Sequence, residues 1–320
     1  NGETDPAWAA TLEPGWQQRR MENFNNLVSG IPEPEDLVSD GWTDIIGKLI
    51  VRLRREVDGE VSADRVTGTL EMADFEKMEQ VRARVDTIVE DPLTAEALKP
   101  YYRQFCKRPC FHDEYLDTFN RSDVTLVHTD GRGVDRITER GVVVDGQEYD
   151  LDCLIYATGF EVGTDYSRRA GYRIVGRDGV TLSDKWADGA QTLHGFHSRG
   201  FPNCFVISNI QSGFSVNFPH MLGEQAKHLA YILRRAADDG IRVIEVSEEA
   251  EAAWVQTIVD LAQTNLKYLE SCTPGYYNNE GKPAERGGWN SFYGGGSVAF
   301  IKLLEDWRAE GSLPGLELTR

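Results

Sequence analysis

The feature that most constrains this chain is a change of periodicity at Tyr101. Before it, apolar residues recur at helical spacing and no alternating run is long enough to build a sheet. Thr4-Asp5-Pro6 supplies an N-cap with Pro near the first turn. Pro14-Gly15 ends that stretch, and a second helix is expected over about Trp16–Val28. Beyond Pro32 and Pro34, from Asp36 onward, Leu37, Ile45, Ile46, Leu49, Ile50 and Leu53 fall at helical spacing. Residues 71–90 carry a charged amphipathic pattern, and Asp91-Pro92 starts a short helix ending near Leu98. After Tyr101, short β-type runs appear: Val124–His128, Val134–Ile137, Gly141–Val144 and Gln147–Tyr149, with Asp145-Gly146 as a hairpin turn. Leu151–Ala157 and Cys204–Ser208 are more continuously apolar and read as buried strands. Helices are expected over Ala226–Asp238, from a Ser247 cap to about Leu269, and over Val298–Ala309. The chain is therefore of the α/β class, with a mainly helical opening and a mixed α/β remainder.

The charge balance excludes some partners. A formal charge of -18 over 320 residues would repel a phosphate backbone, so no nucleic-acid partner is expected. No apolar run approaches the roughly 18 residues of a membrane span, so no membrane partner is expected either. The polar start, Asn1 to Asp5, has no signal-peptide character and no initiating Met, which suggests a processed or truncated end. Five scattered cysteines with no Cys-x-x-Cys pair suggest reduced, mostly buried thiols and a cytoplasmic location. His194 and His197 lie close in sequence but lack a third ligand, so no metal is expected.

Four segments could carry chemistry. Phe105-Cys106-Lys107-Arg108-Pro109 puts two adjacent cations beside aromatics in an acidic chain. Lys suits a phosphate or ribose, and the Arg fork suits an oxyanion. From chemistry alone, a solvated basic turn accounts for the pair as well. Asp152 to Phe160 runs a strand into Ala157-Thr158-Gly159, small residues that let a ligand approach the backbone. An ordinary strand with a Gly stop reads the same way. Gly200 to Gly213 runs a strand into a polar loop, Asn209-Ile210-Gln211, able to offer amides to a flavin edge or simply to connect strand to helix. Gly294-Gly295-Gly296-Ser297-Val298-Ala299 fits a dinucleotide fingerprint superficially. No following strand with an acidic end completes it, so it reads as a close helix-packing turn.

In order and spacing, these segments resemble the Baeyer–Villiger monooxygenases, flavoproteins with two dinucleotide-binding domains. The resemblance runs over essentially the whole chain. Trp8, Leu12, Pro14-Gly15-Trp16 and Gln17 to Phe24 look like the helical insertion of the family's NADPH domain. Cys106-Lys107-Arg108-Pro109, with Tyr115, Phe119-Asn120-Arg121 and Val124, looks like the segment that re-enters the FAD domain. Asp152–Phe160 looks like its return strand, and Gly200-Phe201-Pro202-Asn203 with the run after it looks like the final FAD-binding strand. The resemblance divides the chain into residues 1–105, the insertion and remainder of the NADPH-binding domain, and 106–320, the C-terminal part of the FAD-binding domain.

The resemblance implies FAD and NADPH as cofactors, and a ketone and O2 as substrates. The ketone becomes an ester or lactone through a C4a-peroxyflavin. Lys107 would contact the NADPH ribose and 2′-phosphate, and Arg108 would be the catalytic arginine beside the flavin. Ala157, Thr158 and Gly159 would line the junction of the cofactors, and Asn209, Ile210 and Gln211 would approach the isoalloxazine. Tyr276 stands where relatives often carry a Trp near the nicotinamide nucleotide; its ring could still stack. The family's Gly-rich loops are missing, so the resemblance implies a C-terminal part whose N-terminal half lies elsewhere, as a fragment or one half of a split enzyme, inactive alone. A flavin-dependent N- or S-oxygenase and a noncatalytic interaction module are the competing readings.

Overall fold

Asp5 starts the first helix as its sequence suggests: its carboxylate accepts from Ala7 N at 2.8 Å, and α1 spans Pro6–Ala10. The computed structural model describes residues 4–47, 63–159, 166–283 and 288–320. These divide into two compact units, Asn1–Thr69 with Thr164–Arg320, and Leu70–Gly163. The division does not coincide with a boundary at residue 105. In the first unit the opening helices join the C-terminal half of the chain through a buried hydrogen-bond node: Asn25 Oδ1 accepts from Ser215 Oγ at 2.8 Å and Ser297 Oγ at 3.2 Å.

In that unit α2 spans Trp16–Val28. Residues 36–40 form consecutive turns rather than helix, because Asp36 accepts from Val38 N and Ser39 N. Asp40 then caps α3, residues 41–47, through Trp42 N and Thr43 N. Leu49, Ile50 and Leu53 lie outside the described residues, as does Phe160.

α4 (Ala63–Ile88) runs from the first unit into the second, and α5 (Pro92–Leu98) is capped by Asp91. Val85, Val89 and Ala95 form a small buried cluster with Leu98, Leu116 and Phe119 against it, whereas Met72 and Phe75 of the same stripe are exposed. β1 (Arg136–Ile137), β2 (Gly141–Val144) and β3 (Gln147–Asp150) pair antiparallel. Asp145 and Gly146, at φ 49° and 80°, make the tight turn between β2 and β3.

Two expected strands of this unit do not form. Val124–His128 and Leu151–Ala157 pair with no strand among the described residues, and Leu151, Leu154, Ile155 and Tyr156 are exposed, Ile155 to 82%. Apolar side chains on both faces mark a strand that a sheet and helices must cover. Among the described residues nothing supplies that cover, so the apolar pattern alone does not become a strand.

The first unit continues with α6 (Tyr166–Ala170), α7 (Leu182–Lys185), α8 (Phe218–Asp238), β4 (Val243–Val246), α9 (Glu248–Glu270), α10 (Ser297–Glu310) and β5 (Leu316–Thr319). Its core gathers Phe196, Met221, Ile232, Ile258, Phe300 and Leu304, each at most 1% exposed. Cys204–Ser208, expected as a buried strand, is unpaired extended chain held by single bonds such as Val206 N to Phe196 O at 2.9 Å. β4 and β5 pair antiparallel instead, a long-range contact with no local turn signal.

The triple glycine before α10 behaves as a packing turn. A Cβ at Gly294 would lie 2.8 Å from Leu261 O and 2.9 Å from Leu261 Cβ. Gly294→Ala is therefore expected to destabilise the chain by about 1–3 kcal/mol through overpacking. Urea unfolding should show a lower midpoint at unchanged slope; an unshifted midpoint would contradict this contact.

Cys110, Cys153 and Cys204 are free thiols, but Cys106 and Cys272 are disulfide-bonded, so the expectation of reduced thiols holds for three of the five cysteines, and of those three Cys110 and Cys153 are exposed rather than buried. No helix of the described residues is long and apolar enough to cross a membrane.

Candidate active site

Lys107, Arg108 and Ala157 to Gly159 belong to the second unit; Asn209 to Gln211 and Tyr276 belong to the first. In the second unit, α4 anchors the basic pair. Asp74 Oδ1 accepts from Gln104 N at 2.8 Å and Asp74 Oδ2 faces Arg103 Nε at 3.3 Å. This fixes the 3-10 turn Gln104–Cys106, whose Cys106 is buried. Lys107 follows in extended conformation and is half-buried, and Arg108 is exposed. A pinned backbone before two cations is the arrangement that a positioned charge requires.

Ala157, Thr158 and Gly159 are exposed. Gly159 has φ 91°, and a Cβ there would meet no heavy atom within 4 Å. The tip is open backbone with small side chains, which a flat ligand can approach closely.

In the first unit the loop after Val206 is the most rigidly held candidate. Gln211, at φ 54° and fully buried, accepts through Oε1 from Thr192 N (3.1 Å) and Thr192 Oγ1 (2.6 Å). Its Nε2 donates to Ala190 O at 2.6 Å and Trp289 O at 2.8 Å. Its backbone N donates to Ser291 O, and its carbonyl accepts from Trp254 Nε1 at 3.0 Å. Every polar group of Gln211 is thus committed to the fold, so it positions the loop instead of donating outward. Asn209 differs: its half-buried side-chain amide makes no hydrogen bond to the described residues, which leaves two donors and an acceptor for a ligand.

Sequence reasoning missed the residue that supports this loop from α8. Gln225, fully buried, donates Nε2 to Ser208 O at 2.8 Å and to Ser212 Oγ at 3.0 Å. The available signal was a glutamine on the apolar face between Met221 and Leu229. Gln225→Leu leaves these acceptors without their donor and is expected to cost about 1–3 kcal/mol. A thermal melt tests it, and an unchanged midpoint would show that the loop does not depend on α8.

Tyr276 is 44% exposed and edge-on to Tyr277, with ring centroids 4.4 Å apart. Asn278 fixes its loop by accepting from Gly275 N and Gly281 N and donating to the Cys272 carbonyl at 3.1 Å.

A third imidazole, which no spacing in the sequence indicates, joins His194 and His197. His194, His197 and His228 are all buried among aromatics, with the His194 ring 4.7 Å from Trp254 and His228 stacked on Phe196. Desolvation pushes His194 and His228 down to about 3 and His197 down to about 4, so all three are neutral. No group of three or more His, Cys, Asp or Glu among the described residues is arranged to hold a metal ion.

No protein-family model matches the chain. Individual proteins do. Neopentalenolactone D synthase of Streptomyces avermitilis is 55% identical over 320 residues, covering 99% of this chain and 54% of that protein. Baeyer-Villiger monooxygenase ATR8 of Stachybotrys chlorohalonatus is 46% identical over 319 residues, 99% of this chain and 51% of that protein. The solved polycyclic ketone monooxygenase from Thermothelomyces thermophila superposes with a TM-score of 0.87 at 38% identity, covering 99% of this chain and 52% of that one. Over 99% of its length the chain is thus similar to a named Baeyer–Villiger monooxygenase and to a solved polycyclic ketone monooxygenase. It spans about half the length of the curated relatives it matches. One further solved structure, OTEMO in complex with FAD and NADP, matches at 26% identity and a TM-score of 0.63, covering 78% of this chain and 45% of that one.

Proposed function

We propose that this chain is the C-terminal part of an FAD- and NADPH-dependent Baeyer–Villiger monooxygenase that converts a ketone and O2 to an ester or lactone. In this reading residues 1–105 descend from the NADPH domain and its helical insertion, and residues 106–320 from the FAD domain. The observation that carries it is the match along 99% of the chain to a polycyclic ketone monooxygenase. The exposed small-residue tip at Ala157–Gly159 and the uncommitted Asn209 amide fit a flavin in kind: one admits a flat ring system against backbone, the other offers donors to its polar edge. Bound FAD, reduced by NADPH, would supply the activation and transfer of oxygen.

The residues of this chain then take distinct tasks. Arg108 holds a permanent positive charge where negative charge develops on oxygen, because a guanidinium stays protonated at any working pH. Lys107 places a point charge on the NADPH ribose phosphate. Ala157, Thr158 and Gly159 let the cofactors approach the backbone. Asn209 donates to the flavin edge, Ile210 packs beside it, and Gln211 keeps the loop in register. Tyr276 stacks its ring near the nicotinamide nucleotide. The rest of each cofactor site and of the substrate pocket belongs to the other half of the enzyme.

The test is ketone-dependent NADPH oxidation by the complete enzyme, with product analysis against matched ketone, amine and sulfide substrates. Ester or lactone from the ketone supports the proposal. N-oxide or sulfoxide with no ester would assign a heteroatom oxygenase, and no oxidation in any arm would favour an interaction module.

A further inference from the structure

Asp74, Met78, Arg82 and Val85 fall three or four residues apart and so share one face of α4. Met78 and Val85 are buried there. Asp74 and Arg82 set two charges among them, the Asp74 side chain only 10% exposed. A charge in such a place costs free energy unless it is hydrogen-bonded. Both are committed to the segment that carries Lys107 and Arg108.

Arg82 Nη1 donates to Pro100 O at 2.9 Å, and its guanidinium lies 5.2 Å from the centre of the Tyr101 ring. Further along, Asp74 Oδ1 accepts from Gln104 N at 2.8 Å. Asp74 Oδ2 and Glu71 Oε1 face the Arg103 guanidinium at 3.3 Å and 3.4 Å. The chain returns to the end of α4 at Asn120, which donates Nδ2 to Ile88 O at 2.7 Å and accepts from Glu90 N at 2.9 Å. One helix thus holds both ends of residues 100–120. Of these tethers, the one at Asp74 lies nearest the two cations in sequence. Between it and Arg108 the chain is stiffened by the buried Cys106, and Pro109 disfavours helical backbone at Arg108 itself.

We propose that Asp74 is a positioning residue for oxygen transfer: through Gln104 it sets where the Arg108 guanidinium stands. The inference rests on the proposed role of Arg108. A long side chain can reorient, but its Cα fixes its reach, and misplacing a group by about 1 Å can cost about 10²-fold in rate. Asp74 acts on the reaction only through the backbone of this turn.

The test pairs hydrogen–deuterium exchange with product yields in the complete enzyme. Without NADPH, Asp74→Ala should speed amide exchange over residues 104–108 at least about tenfold and leave β1, β2 and β3 of the same unit at the parent rate. With NADPH and ketone, it should lower the ratio of ester to hydrogen peroxide about tenfold. In the Arg108→Ala background the same substitution should change that ratio less than about twofold, because the group it positions is gone. Asp74→Asn keeps an oxygen for Gln104 N but loses the charge facing Arg103, so it should recover part of both readouts and stay about threefold below the parent ratio. Being isosteric, it also reads the proposal where the alanine variant does not fold. Unchanged exchange at 104–108, acceleration throughout the unit, or an equal loss of ester with and without Arg108 would overturn the assignment. So would a parent-like ratio in the folded Asp74 variants. If Arg108→Ala itself keeps the parent ester yield while exchange at 104–108 still accelerates in Asp74→Ala, the reading of Arg108 fails and the proposal with it, although the tether stands.

Discussion

In the complete enzyme, Arg108→Ala is expected to lower ester formation by roughly 10²–10³-fold or more, the range for removing one group that stabilises developing negative charge. On the proposed function NADPH consumption should continue, with its electrons appearing as hydrogen peroxide, because the variant lacks the guanidinium that would stabilise negative charge developing on oxygen. Arg108→Lys keeps the charge but loses the planar fork, so it should recover only part of the ester yield. Melting temperatures of both variants, set beside that of the parent, separate a loss of fold from a loss of chemistry. The ratio of ester to peroxide per NADPH reads this directly. An alanine variant within about tenfold of the parent in ester yield would remove Arg108 from the chemistry.

The second large effect is acid sensitivity of the first unit. His194, His197 and His228 are held neutral by burial, at about 3, 4 and 3, against an ordinary histidine value of 6.5. Arg308 Nη1, 3.5 Å from His228 Nδ1, further opposes its protonation. Below pH 6.5 the unfolded chain takes up protons that the folded chain refuses, so stability falls as pH falls. The full contribution is present above about pH 6.5 and is lost progressively toward pH 3 to 4. Each histidine contributes at most about 1.4 kcal/mol per pH unit in that window. The three together would remove on the order of 6 kcal/mol by pH 5, comparable with the whole stability of a domain. His220, buried and shifted the same way by desolvation, adds to the trend. The carboxylates with lowered values, such as Asp36 and Glu245, lose their contributions only at more acidic pH, which leaves the window from 6.5 to 5 to the histidines. Urea unfolding across pH 5 to 8 should therefore give a plateau above about 7 and a steep decline below 6.5. Equal stability at pH 7 and pH 5 would mean that the cluster opens to water.

What was legible in the sequence was local. The caps at Asp5, Asp91 and Ser247 and the Asp145-Gly146 turn depend on neighbours within a few residues, and each lies where its spacing indicates. α8 begins two turns before its expected start because His220, Glu224 and Gln225 interrupt its apolar stripe while Asn217 and Pro219 set the true N-terminus. Leu151–Ala157 shows the opposite failure. Its composition suits a strand, but strand formation depends on partners that the described residues do not supply.

The site divides in the same way. The Lys107-Arg108 pair stands out because cations beside aromatics contrast with an acidic chain. Its anchor, Asp74, lies about thirty residues upstream on a helix and leaves no local trace. The loop Asn209-Ile210-Gln211 was visible as a polar segment, but which amide faces inward was not. Gln211 is consumed by bonds to residues near 190 and 290, and only the assembled fold shows that Asn209 is the one left over. The His194, His197 and His228 cluster likewise forms only when α8 packs under the loop at 194.

The most direct measurement follows the oxygen atom. The complete enzyme is given NADPH, a cyclic ketone and isotopically labelled dioxygen, and the products are read by mass spectrometry. A lactone carrying one labelled oxygen, with its unlabelled carbonyl retained from the ketone, is the predicted result. Unchanged ketone with all the label in peroxide and water would mean that this chain does not belong to a ketone oxygenase.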